Sequence, residues 1–139
     1  MSEARTLPTL AAFEAFAAGF ARRLRAGDAV ALEGPLGSGK TAFVAASVRA
    51  LHDSDDTSSP TFTFWHRYEG TPPINHLDLY RIGDPAEAVE LGLEEAFAPD
   101  AITFVEWPER LPGFMPLQAV RVRIQGSGDG AREIEIVRP

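Results

Sequence analysis

Cysteine is absent from the 139 residues of this chain. Its absence excludes disulfides and thiolate metal sites, and it fits a reducing compartment. Lysine is almost absent: of the 13 basic side chains, twelve are arginine and only Lys40 is lysine. Long apolar runs are missing as well. The longest near the start, residues 15–21 (AFAAGFA), is too short to cross a bilayer. The first residues include Glu3, Pro8 and Glu14 and no basic leader, which argues against a signal peptide. Positive charge is scarce, leaving a formal net charge of -7. Such a surface does not attract polyanions, so direct, strong binding to nucleic acid is not expected. These absences leave a cytoplasmic protein with no membrane and no DNA among its partners. No repeat or low-complexity segment divides the chain, and its length fits a single domain, residues 1–139.

What is present reads as alternating helices and strands. Leu10, Phe13, Ala17, Phe20 and Leu24 recur at helical spacing, with Thr9 as a cap and Gly27 as a stop. Residues 29–34 (AVALEG) form a short apolar run ending in glycine, and residues 40–51 a second helix. The acidic stretch 52–60 is a loop. Residues 61–69 and 74–82 read as two strands of a hairpin; alternation puts Leu77 and Leu79 on one face and His76, Asp78 and Tyr80 on the other. Asp84, Pro85 and Glu87 spell a capping box for a helix reaching Leu91, after which Gly92 interrupts and one more helical turn follows. Residues 101–106 are a second apolar strand. The tail reads as a hairpin in which Arg121 and Arg123 face Glu133 and Glu135. The two apolar strands do not alternate, as expected of strands buried on both faces. The expected class is α/β, a three-layer α/β/α sandwich with a mixed sheet.

Between the first apolar strand and the second helix lies GPLGSGKT: Gly34, Pro35, Leu36, Gly37, Ser38, Gly39, Lys40 and Thr41. This is the P-loop pattern, here in its required strand-to-helix setting. Glycines let successive backbone N–H groups turn inward around phosphate oxygens, and the helix start adds its positive end. Lys40 brings a point charge to the terminal phosphates, and the Thr41 hydroxyl suits Mg²⁺. Compositional bias explains the arginines but not the one retained lysine; this position needs a compact ammonium. Position 42, next along the helix, is grouped with the nucleotide-binding residues without an assigned role.

Hydrolysis of a bound nucleotide needs a metal-side carboxylate and a group to order water. Open α/β sheets bind ligands at the C-terminal ends of their strands. Glu106 closes the second apolar strand, and Asp78 lies late in its own. Alone, Glu106 reads as a strand-end acid; beside a phosphate loop it reads as functional. Glu94, Glu95 and the acids of residues 53–56 look like solvated surface. The hydroxyls of residues 58–63 (SSPTFT) could serve as a switch segment or simply turn a loop into a strand. His52, His66 and His76 have no metal-ligand spacing, and His76 is expected to pair with Asp78.

GPLGSGKT, SPTFT, HLDLYR, LGLEEAF and VEWPER occur in this order. Together they resemble the bacterial TsaE family, and the similarity runs from about Gly27 to Arg110. The resemblance implies an ATP- and Mg²⁺-dependent ATPase of tRNA threonylcarbamoyladenosine formation, weak alone. It implies partnership with the TsaB–TsaD complex and only indirect contact with tRNA. By the same resemblance Lys40 and Thr41 are the Walker A pair, Glu106 the metal-side acid and Asp78 the acid of the His-x-Asp-x-Tyr-Arg segment. Thr61 belongs to the switch-like Ser-Pro-Thr-Phe segment, Trp107 is a tryptophan near the nucleotide, and Thr9 a wall of its site. Two other classes fit a P-loop: a small-molecule kinase, although no lid segment is evident, and a nucleotide-gated interaction module with little hydrolysis.

Overall fold

A computed structural model describes residues 2–53, 64–126, 128 and 130–139. Seven strands form one sheet: β1 (Ser2–Leu7), β2 (Ala29–Glu33), β3 (Trp65–Tyr68), β4 (Ile74–Asp78), β5 (Ile102–Glu106), β6 (Val120–Gln125) and β7 (Arg132–Val137). Their spatial order is β1-β7-β6-β2-β5-β4-β3. The inner strands β6, β2, β5 and β4 run parallel; β3, β7 and β1 pair antiparallel. The sheet is therefore mixed, as expected. Four parallel C-terminal ends, at Asp78, Glu106, Glu33 and Gln125, share one edge.

Helices α1 (Leu10–Ala21) and α2 (Lys40–His52) pack together on one face. Phe13, Phe20 and Phe43 meet there with centroid separations of 5.5 to 6.0 Å, above Val30, Leu32, Ile102 and Phe104. On the other face α3 (Pro85–Leu91) and a 3₁₀ turn over Leu93–Ala96 cover Leu77, Leu79 and Val105. Phe43, Phe104, Leu32 and Leu77 are wholly buried, and such side chains each contribute about 2 kcal/mol of transfer free energy. The Asp84–Glu87 capping box is present, and Gly92, at φ +64°, ends α3 as the sequence predicts.

Several boundaries differ from expectation. β1 has no signal in its charged sequence, because an edge strand is specified by its partner; it pairs with β7 from Ser2↔Val137 to Leu7↔Arg132. Helix α1 stops at Ala21, before Leu24, as i→i−3 turns at Arg23 and Leu24 reverse the chain toward β2. Strand β4 stops at Asp78 rather than residue 82, because the Asp78 carboxylate accepts from Tyr80 N–H and bends the backbone. β3 begins at Trp65; residues 61–63 of the expected strand lie outside the described residues. In the β6–β7 hairpin Arg123 faces Glu135, but Arg121 faces Val137 and pairs with Glu33 instead.

Candidate functional site

The loop from Gly34 to Gly39 leaves the C-terminal end of β2 and enters α2 at Lys40. Two of its glycines are obligatory. Gly34 has φ +155°, and a Cβ there would stand 2.3 Å from the Ile124 carbonyl oxygen. Gly39 has φ +111°, and its missing Cβ would stand 3.2 Å from the Phe13 ring, which places the start of α1 beside the loop. Ser38 N–H donates to the Pro35 carbonyl at 3.1 Å. The Ser38 hydroxyl is fully buried and has no partner among the described residues. A lone buried hydroxyl in a loop of this shape fits a site that receives a polar ligand.

Lys40 turns back into the loop. Its ammonium donates to the carbonyls of Gly34 and, at 3.1 Å, Pro35. The Trp107 ring covers it, with Nζ 3.8 Å from the ring centroid. Only 5% of Lys40 is exposed. Burial pushes its amine below the ordinary lysine range, while the charges of Glu106, Glu109 and Asp78 pull the other way. Trp107 holds this position at φ +59°, a left-handed conformation rare for a bulky residue. Its ring also lies 5.0 Å from Tyr80, and Arg110 sits over both rings.

Thr41, one residue along, answers Glu106. Its hydroxyl lies 3.1 and 2.9 Å from the two carboxylate oxygens. Position 42, grouped above with the nucleotide-binding residues, is Ala42, exposed in the first turn of α2. Its methyl group neither donates nor accepts, so its side chain adds nothing to a nucleotide site.

Glu106 is 3% exposed and also meets His76 Nε2 at 2.6 Å. A carboxylate accepts only, so the His76 proton sits on Nε2. This corrects the expected His76–Asp78 pair. Residues 76 and 78 share a face of one strand but stand side by side, whereas Glu106 reaches across from β5. Asp78 lies opposite Glu106 in the parallel ladder and is more open to solvent. His66 faces His76 across the β3–β4 pair, with ring centroids 6.2 Å apart.

The structure thus brings together Lys40, Thr41, Glu106, Trp107 and the Gly34–Gly39 loop, with Asp78 on the adjoining strand end. Pro35, Leu36 and Gly37 form the outer turn of that loop. Thr9 caps α1, its hydroxyl accepting from Ala12 N–H at 3.1 Å. Thr61 lies outside the described residues. No group of three or more His, Asp or Glu side chains is placed among the described residues to hold a metal ion unaided. Missed by the sequence reading were the His76–Glu106 bond and the Tyr80–Trp107–Arg110 stack. Their residues stand in HLDLYR and EWPER, so membership of those motifs was the available signal.

A family model described as threonylcarbamoyl adenosine biosynthesis protein TsaE matches residues 7–134. The chain belongs to the TsaE family. It is 38% identical to the tRNA threonylcarbamoyladenosine biosynthesis protein TsaE of Bacillus subtilis, over 78% of this chain and 68% of that protein. The TsaE protein of Rickettsia bellii is 37% identical over 84% of this chain and 82% of its own length. That of Synechocystis is 41% identical over 76% and 70%. The crystal structure of Bacillus subtilis YdiB superposes with a TM-score of 0.77 at 29% identity, covering 99% of this chain and 87% of the other. The TsaE match spans every site element described above, from the start of α1 to β7. No helix among the described residues is long and apolar enough to cross a membrane.

Proposed function

We propose that this TsaE-family chain acts in tRNA threonylcarbamoyladenosine biosynthesis as a Mg²⁺-dependent ATPase of the cytoplasm. In this reading it is weak alone, supports turnover of a TsaB–TsaD complex, and meets tRNA only through that complex. One observation carries it: the P-loop threonine hydroxyl and a buried strand-end carboxylate meet across the site, beside a lysine aimed into the loop. Relatives named for this biosynthesis at 37 to 41% identity support the pathway.

The chain's own groups divide the work. The Gly34–Gly39 backbone supplies N–H donors for phosphate oxygens, and Lys40 adds charge once it leaves the loop carbonyls. Thr41 and Glu106 would hold Mg²⁺, with Asp78 beside them. Bound there, Mg²⁺ would supply charge neutralisation for the transferring phosphoryl group. His76 keeps the Glu106 carboxylate turned toward Thr41. Asp78, more open to solvent, orders water in this reading. Trp107 closes the loop's open side.

The test is a reconstituted modification assay run for repeated turnovers with TsaB, TsaD and tRNA. Hydrolysis by this chain should rise when the pair is added. Equal modification with and without the chain would remove the proposal. The kinase alternative predicts ATP consumption that depends on a metabolite; the interaction-module alternative predicts binding with little hydrolysis even when the partners are present.

A further inference from the structure

Strand β6 runs parallel to β2, so its end and the turn after it reach the same sheet edge as the phosphate loop. Arg132, the first residue of β7, stands where the chain returns. Among the described residues its guanidinium makes three hydrogen bonds, each to a carbonyl oxygen. Nε donates to Ser38 at 2.7 Å, Nη1 to Gly130 at 2.8 Å and Nη2 to Gly128 at 2.7 Å. The first of these crosses 94 residues of sequence into the Gly34–Gly39 loop.

Ser38 is thereby fixed on both sides. Its N–H donates to Pro35 within the loop, and its carbonyl accepts from Arg132 outside it. A trans peptide is planar, with its C=O and the following N–H pointing in opposite directions. Holding the Ser38 carbonyl toward Arg132 therefore aims the Gly39 N–H away from Arg132. Gly39 is the N-cap of α2, with the left-handed φ that glycine permits. Its N–H finds no acceptor among the described residues. We propose that Arg132 is a positioning residue of the phosphate loop: it holds the Ser38–Gly39 peptide so that the Gly39 N–H is presented to a phosphate oxygen. The other two donors tie the same guanidinium to the β6–β7 turn, so the loop is braced against the sheet and not against α2 alone. A lysine could reach one of these carbonyls but lacks the planar fork that spans three.

The inference rests on the nucleotide reading above, and the experiment separates the two. Calorimetric titration with ATP and with adenosine is made on wild type, Arg132→Gln and Arg132→Lys, each checked for folding by its melting curve. Arg132→Gln should bind ATP about tenfold more weakly, the effect of one misplaced hydrogen bond to a charged ligand. Its affinity for adenosine, which has no phosphate, should not change. Arg132→Lys should recover part of the loss. No ATP binding by wild type removes the nucleotide reading and this inference with it. ATP affinity equal to wild type in a folded variant, or an equal loss for adenosine, overturns this inference alone. Should both variants unfold, wild type still decides by nuclear magnetic resonance. ATP should move the Gly39 amide proton downfield while Arg132 Nε–H stays protected from solvent exchange; a static Gly39 signal or fast Nε–H exchange overturns the proposal.

Discussion

Glu106→Gln separates a functional carboxylate from a merely buried one. The glutamine is nearly isosteric, and both partners of Glu106 can change roles. The Thr41 hydroxyl can rotate to accept, and His76 can move its proton from Nε2 to Nδ1. All contacts can therefore persist as neutral hydrogen bonds. A bond to a charged group contributes roughly 1 kcal/mol more than a neutral one. Two donors converge on Glu106, so the substitution should cost about 2 kcal/mol, less what is regained by no longer burying a charge. For 139 residues the unfolding entropy is on the order of 0.3 kcal/mol per kelvin, so the melting temperature should fall by about 7 °C at most. Hydrolysis should fall on the order of a hundredfold or more, as when one electrostatic group is lost at a reacting centre. Phosphate release and thermal melts on the same preparation measure both. Undiminished hydrolysis in a folded Glu106→Gln protein would refute the metal-side role. Global unfolding of the variant would refute the claim that its contacts can be re-made.

Asp78→Asn should leave stability within about 0.5 kcal/mol, since an asparagine oxygen can keep the bond from Tyr80 N–H, yet hydrolysis should be largely lost. Wild-type phosphate release by that variant would exclude Asp78 from the reaction. Lys40→Ala should weaken ATP binding and abolish any ATP-induced change in Trp107 emission, because the cation over the indole is gone; an unchanged fluorescence titration would contradict this. Burial first, and then the His76 ring, hold the His66 imidazole below its usual range, with Asp78 opposing. Just below the ordinary histidine value the unfolded chain takes up a proton at His66 that the folded chain refuses. Stability should therefore fall as pH drops through that window and level off once folded His66 is protonated too. Melting temperatures taken from about pH 8 to about pH 5 should show a shallower slope in His66→Gln, and equal slopes would refute the assignment.

The elements legible in the sequence were those written locally. The glycine-rich loop before α2, the Asp84–Glu87 cap, the stop at Gly92 and the apolar runs of β2 and β5 each depend on residues a few positions apart. What escaped depended on partners far along the chain. Strand β1 is charged and short of apolar residues, and only pairing with β7 makes it a strand. The same holds for His76: periodicity put it beside Asp78, but Glu106, at the end of the neighbouring strand, accepts its hydrogen bond. Arg132 gave no signal at all, since a guanidinium satisfied by carbonyls leaves no charge pattern to read. The sequence singled out Lys40, Thr41 and Glu106, which the structure brings together, but it did not show their contacts. Nothing local predicts that Trp107 adopts a left-handed backbone to cover the lysine.

That covered lysine makes the chain an unusually simple target for amine chemistry. Apart from the α-amino group, Lys40 is the only amine that an acylating reagent could modify. With its ammonium held by two carbonyls beneath an indole, acylation reports the opening of that lid, one event at one atom. The mass of the peptide that carries Lys40, read before and after labelling, thus becomes a clock for how often the loop releases its own cation.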